Sequence, residues 1–191
     1  MGHLREVVTR FRKRRKTVVV SFAEHEADIL ANLLRNLVEL LYDGLPPRAT
    51  ESSDPLAALL DSDGPTSPPE DVVLQRLLPD AYQQDDMAAA EFRRFTERGL
   101  REGKVTDAKR VLSALEQSGA DEIALEPDEQ LSWLRALNDL RLAIGTRLDI
   151  KDEDDYSTWE KLADDDPRRL TYDLYDWLGY LQSALLHNMR P

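Results

Sequence analysis

The chain contains no cysteine. That absence excludes disulfides, thiol nucleophiles, cysteine-based zinc sites and any thiol redox switch of its own. Long apolar runs are missing as well: charges interrupt every stretch well short of the roughly 20 residues that a membrane span needs. The first residues lack the apolar core of a signal peptide, so a cytoplasmic setting with no membrane partner is expected. The three histidines, His3, His25 and His187, form no His-Glu-x-x-His pattern, so neither a metal nor a cofactor is expected. Phosphate-binding loops, Gly-x-Ser-x-Gly elbows and dinucleotide fingerprints are equally absent. Paired carboxylates abound, but any acidic chain supplies them. The sequence reads as a non-enzyme.

What is present is enough to fold. Of 191 residues, 41% are hydrophobic, which suits a real core in one domain or two small ones. The net charge of −12 is unevenly placed. Residues 1–16 hold seven Lys or Arg against one Glu, a local +6, so the remainder carries −18. An acidic body repels phosphate backbones, and any nucleic-acid contact has to lean on this basic N-terminal arm or on a partner. Within the arm, Arg10, Arg12, Lys13, Arg14, Arg15 and Lys16 are the candidates for binding nucleic acid or an acidic partner. The competing reading is an ordinary solvated terminus.

Residues 17–191 are expected to form a single, mainly α-helical domain with a small two-stranded β element and a Pro-rich loop. Thr17-Val18-Val19-Val20 is the first strand candidate. Ser21 and Glu24 then have capping-box spacing and open a helix carrying Ile29, Leu30, Leu33, Leu34, Leu37, Val38 and Leu41, stopped by Asp43-Gly44. Residues 44–69 hold six of the ten prolines and read as a linker, with one helical turn at Leu56–Leu60. A helix resumes near Glu70 and ends before Pro79. Another is expected from about Asp86 to Arg101, with Phe92, Phe95 and Leu100 turned inward. Gly103 should break it, leaving Asp107–Gln117 as a further segment. Glu122–Leu125 is the second strand candidate, Pro127 suits a first helical position, and a long helix runs to about Leu148. The last helix carries Leu170, Leu174, Trp177, Leu178, Leu181, Leu185 and Met189.

An internal echo links the two strand candidates. Val20-x-Phe22-x-x-x-Glu26 and Ile123-x-Leu125-x-x-x-Glu129 match at an offset of 103, which also aligns Leu34 with Leu137 and Leu37 with Leu140. Either two amphipathic helices begin alike by chance, or the chain holds a pseudo-symmetric pair of strand–helix units with the strands side by side.

The long helix sets polar residues into a stripe expected to be buried. Leu131, Leu134, Asn138, Arg141, Gly145 and Leu148 share one face, beside an apolar ridge of Trp133, Leu137, Leu140 and Ile144. Buried polar groups need partners, and Asp173 and Asp176 on the last helix are the expected ones for Arg141. Asn138, Asp139, Arg141, Asp173 and Asp176 thus form a polar cluster, read either as a structural device or as a docking site.

Three blocks carry a family resemblance. They are Leu77-Leu78-Pro79-Asp80-Ala81-Tyr82, the run Asn138-Asp139-Leu140-Arg141-Leu142-Ala143-Ile144-Gly145-Thr146-Arg147-Leu148, and Tyr175-Asp176-Trp177-Leu178-Gly179-Tyr180-Leu181-Gln182. In this order they resemble the actinobacterial oxidative-stress regulator family AosR, from about Val18 onward. The resemblance implies a transcriptional regulator of the oxidative-stress response that acts with a stress sigma factor on cysteine-biosynthesis genes. It implies a stress sigma factor or RNA polymerase as partner, with promoter DNA and a second copy of the chain as further candidates. It also implies sensing by a cysteine switch, which this chain lacks. The rival reading is a protein-interaction adaptor that does not touch DNA.

Overall fold

A computed structural model describes residues 9–23, 25–43, 45, 64–82, 84–118, 122–152, 155, 157, 159, 161–163 and 165–190. Among them the chain is mainly α-helical with a small antiparallel sheet. Its elements are β1 (Arg10–Arg14), β2 (Thr17–Ser21), α1 (Glu26–Tyr42), α2 (Val72–Leu77), α3 (Asp86–Ser118), β3 (Ile123–Leu125), α4 (Pro127–Arg147) and α5 (Arg169–Met189). The expected turn at 56–60, like Glu24 and Gly44, lies outside the described residues.

The sheet has three strands in the order β1-β2-β3, one more than the sequence pattern predicts. The valines of β2 explain its central place. Val18 and Val20 alternate onto the core face, while Val19 on the opposite face is also buried. Thr9, just before β1, is buried and anchored twice: its hydroxyl donates to Glu26, and its carbonyl accepts from Tyr180 at 2.8 Å.

The echo is structural. β2 and β3 pair side by side, with Val20 opposite Ile123. These two residues are each other's equivalents at the offset of 103, so they mark the local pseudo-two-fold axis. Each strand feeds a helix, and each helix start is secured in the same way. Glu26 Oε2 accepts from the N–H of Ala23 at 2.9 Å, and Glu129 Oε2 accepts from the N–H of Glu126 at 2.8 Å. Both are carboxylates reaching back three residues to a free helix-end donor. Glu26 therefore does the work the sequence pattern assigned to Glu24, because α1 begins at Glu26 and Ser21 closes β2. The aligned pairs Leu34 and Leu137, Leu37 and Leu140 are all buried.

α4 is the central helix. It packs against α1, α2, α3, α5 and β3, with Trp133, Ala136, Leu137 and Leu140 buried in one continuous core. Phe22 stacks on Trp133 with ring centroids 6.0 Å apart. From α5, Leu178, Leu181 and Leu185 enter the core, whereas Leu170 stays exposed at the start of that helix.

α3 departs most from expectation. It is one helix of 33 residues, unbroken at Gly103. Its N-terminal half is inverted: Phe92, Phe95 and Leu100 are exposed, and Arg93, Glu97 and Arg101 are buried. The reason is what lies against this face. Arg101 donates through Nη1 to the carbonyls of Leu41 and Asp43 at 3.0 and 2.8 Å, capping the end of α1. Its Nε and Nη2 grip Glu97 Oε1 at 2.9 and 2.7 Å. Arg93 donates to the carbonyl of Thr66 at 2.5 Å and pairs with Asp80. Backbone carbonyls from two connections need donors here, and apolar side chains offer none. Gly64 completes the contact, since a Cβ there would lie 2.1 Å from the carbonyl oxygen of Arg94. The end of the Pro-rich connection is thus pinned to α3.

Candidate functional site

The basic run is not a free arm. Arg10–Arg14 forms β1, the edge strand of the sheet, and Arg15 and Lys16 form the turn into β2, with Arg15 at φ 60°. Alternation places Arg10, Arg12 and Arg14 on one face and Phe11 and Lys13 on the other. Phe11 packs against the core, and this fixes the strand's facing. Arg12 pairs with Glu122, and Arg14 lies 3.5 Å from the same carboxylate. Lys13 donates to the carbonyl of Arg190. Arg10, Arg15 and Lys16, by contrast, project from one end of the strand and from the turn, all exposed. The contacts of Arg12 and Arg14 are solvent-exposed ion pairs, worth little in stability but enough to order the side chains. The hairpin is a strongly basic feature on an acidic body.

The polar cluster separates into three parts. Asp139 is buried and accepts from Lys104 Nζ of α3 at 2.7 Å. Burial pushes its carboxyl above the usual carboxylate range, with Lys104 opposing that shift. Asn138 is exposed, not buried, and its Oδ1 lies 3.4 Å from Gln182 Nε2. Arg141 does not take Asp173 or Asp176 as its hydrogen-bond partner. Its Nη1 donates to Gln182 Oε1 at 2.6 Å, its Nη2 lies 3.4 Å from Tyr175 Oη, and its guanidinium stands 5.0 Å from the Tyr175 ring centroid. Asp173 instead accepts from Arg169 one turn earlier, at 3.0 Å. Asp176 lines a cleft of about 320 Å³ together with Arg141, Tyr175, Gly179, Tyr180 and Ser183. The physical reason is helix phase. Gln182 and Tyr175, seven residues apart, share a face of α5 turned toward α4, and that face brackets Arg141.

Gly145 makes room for this arrangement, whereas at Gly179 a Cβ would make ordinary contact only. A Cβ on Gly145 would meet the Tyr175 ring at 3.1 Å, and one on Gly179 would stand 3.5 Å from Arg141 Nε. That nitrogen is buried without a hydrogen-bond partner among the described residues. On the far side of Gly145 a cleft of about 380 Å³ opens, to which Arg76, Arg141, Lys151 and Tyr175 contribute. Sequence reasoning singled out Arg141 but missed Tyr175, Gln182 and Arg76. The signal for the first two was present in their seven-residue spacing. Arg76 lay in a different segment, and only folding brings it near.

No cluster of three or more His, Asp or Glu able to hold a metal occurs among the described residues. No helix there is long and apolar enough to cross a membrane. The structure therefore defines a mainly α-helical protein that presents a basic β-hairpin and a guanidinium-lined cleft. The sequence model of the family described as a domain of unknown function, DUF2017, matches residues 8–189, and the chain belongs to that family. Relatives from Mycobacterium tuberculosis and Mycobacterium bovis, each named Oxidative stress regulator AosR, are 31% identical over 179 residues, covering 87% of this chain and 79% of theirs. A third relative, from Mycobacterium leprae, is 33% identical over 181 residues, covering 86% of this chain and 78% of its own. No solved structure matches the chain.

Proposed function

We propose that this chain is a cytoplasmic regulator of the oxidative-stress response that acts on transcription mainly through protein contacts. The likeness over 87% of its length to proteins named as oxidative stress regulators carries the reading. In the finer form we favour, it works with a stress sigma factor or RNA polymerase on cysteine-biosynthesis genes, and it has no catalytic role. The charge distribution supports protein contact over stand-alone DNA binding. A body of net −18 repels DNA, and the basic hairpin spends Arg12, Lys13 and Arg14 on its own structure. Arg10, Arg15 and Lys16 are left to meet an acidic partner surface or a few phosphates beside it. With no cysteine in the chain, the signal comes from a partner or a ligand rather than from its own thiols.

The test is binding to promoter DNA across a salt series, alone and with a stress sigma factor. The expected result is binding only with the sigma factor, weakened when Arg10, Arg15 and Lys16 are changed together to Ala. Each phosphate contact contributes about 0.9 to the slope of log affinity against log salt. Tight binding by the chain alone, with a slope of about 6 or more, would overturn the protein-contact reading. Absence of binding in both arms would favour the adaptor that does not act at promoters.

A further inference from the structure

We propose that Arg76 and Arg141 form a binding site for a small anion bearing a phosphate or a pair of carboxylates. The proposal does not depend on the regulatory reading. Both residues line the 380 Å³ cleft between the end of α2, the last two turns of α4, residues 150–152 and Tyr175 of α5. The chain has 37 carboxylates for 25 Lys and Arg, so an arginine finds an acidic partner easily. Other cations do so: Arg147 takes Asp71 at 2.7 Å, Lys151 takes Asp149 at 2.9 Å, and Arg169 takes Asp173 at 3.0 Å. Arg76 and Arg141 do not pair with any carboxylate of the described residues. The hydrogen-bond partners of Arg141 are neutral, and its Nε is buried without one.

The position of Arg141 is nonetheless fixed. Gln182 holds one end of its guanidinium, the Tyr175 ring lies beside it, and Gly179 lies next to Nε. A held guanidinium binds an oxyanion with less ordering cost than a free one, because its planar fork is already oriented. Gly145 and Leu142 supply wall without polar demand, and Thr146 has its hydroxyl committed to the Leu142 carbonyl at 2.7 Å. Among the described residues Asp152 is the one carboxylate lining the cleft, and Lys151 beside it adds a cation. The volume falls at the small end of ligand sites, which suits a metabolite-sized anion rather than a peptide. Two arginines lining one space match the charge of a phosphate or a dicarboxylate. Such a site gives a cysteine-free chain a chemical input.

The experiment is calorimetric titration of the full chain with inorganic phosphate and, separately, with succinate, each against sodium chloride at equal ionic strength. Saturable binding of at least one is expected. Phosphate binding alone assigns a phosphate site, and succinate alone a dicarboxylate site. Arg76→Ala changes an exposed residue and should leave the fold intact while weakening affinity at least fivefold. Arg141→Lys keeps the charge, loses the fork and should weaken it similarly. No saturable binding by the unaltered chain would overturn the proposal. So would equal affinity in Arg76→Ala, or binding confined to an acidic peptide with neither small anion bound. No DNA or sigma factor enters the measurement, so failure here leaves the regulatory reading standing.

Discussion

Arg101 ties the end of α1 to α3. It caps α1 through two carbonyls, binds Glu97 one turn earlier, and anchors the start of the Pro-rich connection through Asp43. Removing it leaves buried Glu97 with only Arg93 Nε, 3.9 Å from an Oε2 that has no hydrogen bond. Arg101→Ala should therefore cost about 3–5 kcal/mol, read by urea unfolding. Arg141→Ala strands no such group, since Gln182 and Tyr175 are neutral, and should cost only about 1–3 kcal/mol. An equal loss for the two would mean that Arg141 has a charged partner after all. Asp139 adds a pH signature. Its folded carboxyl is raised by burial, so it contributes stability that is full below the unfolded value of about 3.9 and is lost as pH rises through the folded value. Asp139→Asn removes that loss while leaving an oxygen for Lys104. The melting temperature of Asp139→Asn relative to the unaltered chain should rise between pH 4 and pH 7.

At the scale of elements, α3 shows what the sequence could not reveal. Apolar period marks the leucines that α1, α2, α4 and α5 bury against α-helical neighbours, although Leu131 of α4 and Leu170 of α5 stay exposed. In α3 the first turns face backbone carbonyls, and there Arg93, Glu97 and Arg101 outcompete Phe92 and Phe95 for the interior. Their spacing of four residues was visible, yet nothing local says that Leu41, Asp43 and Thr66 wait opposite them. β1 escaped notice for a similar reason. Its pairing comes from the valines of β2, while its own sequence offers a single apolar residue, Phe11. In the polar cluster, Arg141 was correctly marked as needing partners, but choosing Gln182 over Asp176 required the phase of α5. The Glu26 and Glu129 echo, in contrast, was legible because it is local. Helix breaking at Gly103 failed because a glycine inside a helix costs only about 1 kcal/mol, less than the flanking burial of Arg101 and Val105 supplies. Gly99 and Gly103 are exposed, and an added Cβ at either meets nothing within 4 Å. Gly103→Ala should stabilise the protein by about 0.5–1 kcal/mol, as should Gly99→Ala, measured by thermal or urea unfolding.

Across the whole molecule, charge is segregated: a basic hairpin at one end of the sheet and an acidic remainder. Two opposing salt effects follow. Screening weakens exposed pairs such as Arg12 with Glu122 and Arg35 with Glu116, each worth little to begin with. It also relieves the self-repulsion of a chain at net −12, a long-range term that compactness makes worse. The buried pairs, Arg101 with Glu97 above all, are hardly screened at either ionic strength. The repulsion should win. Raising sodium chloride from about 10 mM to 150 mM shortens the screening length from roughly 30 to 8 Å. Stability should then rise by on the order of 1 kcal/mol, a gain of about 2–4 °C in melting temperature for a chain of this size. The same addition should weaken any contact made by Arg10, Arg15 and Lys16, because those charges act outward through solvent. A protein that grows more stable with salt while its hairpin loses its partner would separate fold from function along this charge boundary. A fall in melting temperature would instead place the stabilising electrostatics in the exposed ion pairs, and the hairpin's pairing with Glu122 would then belong to the fold.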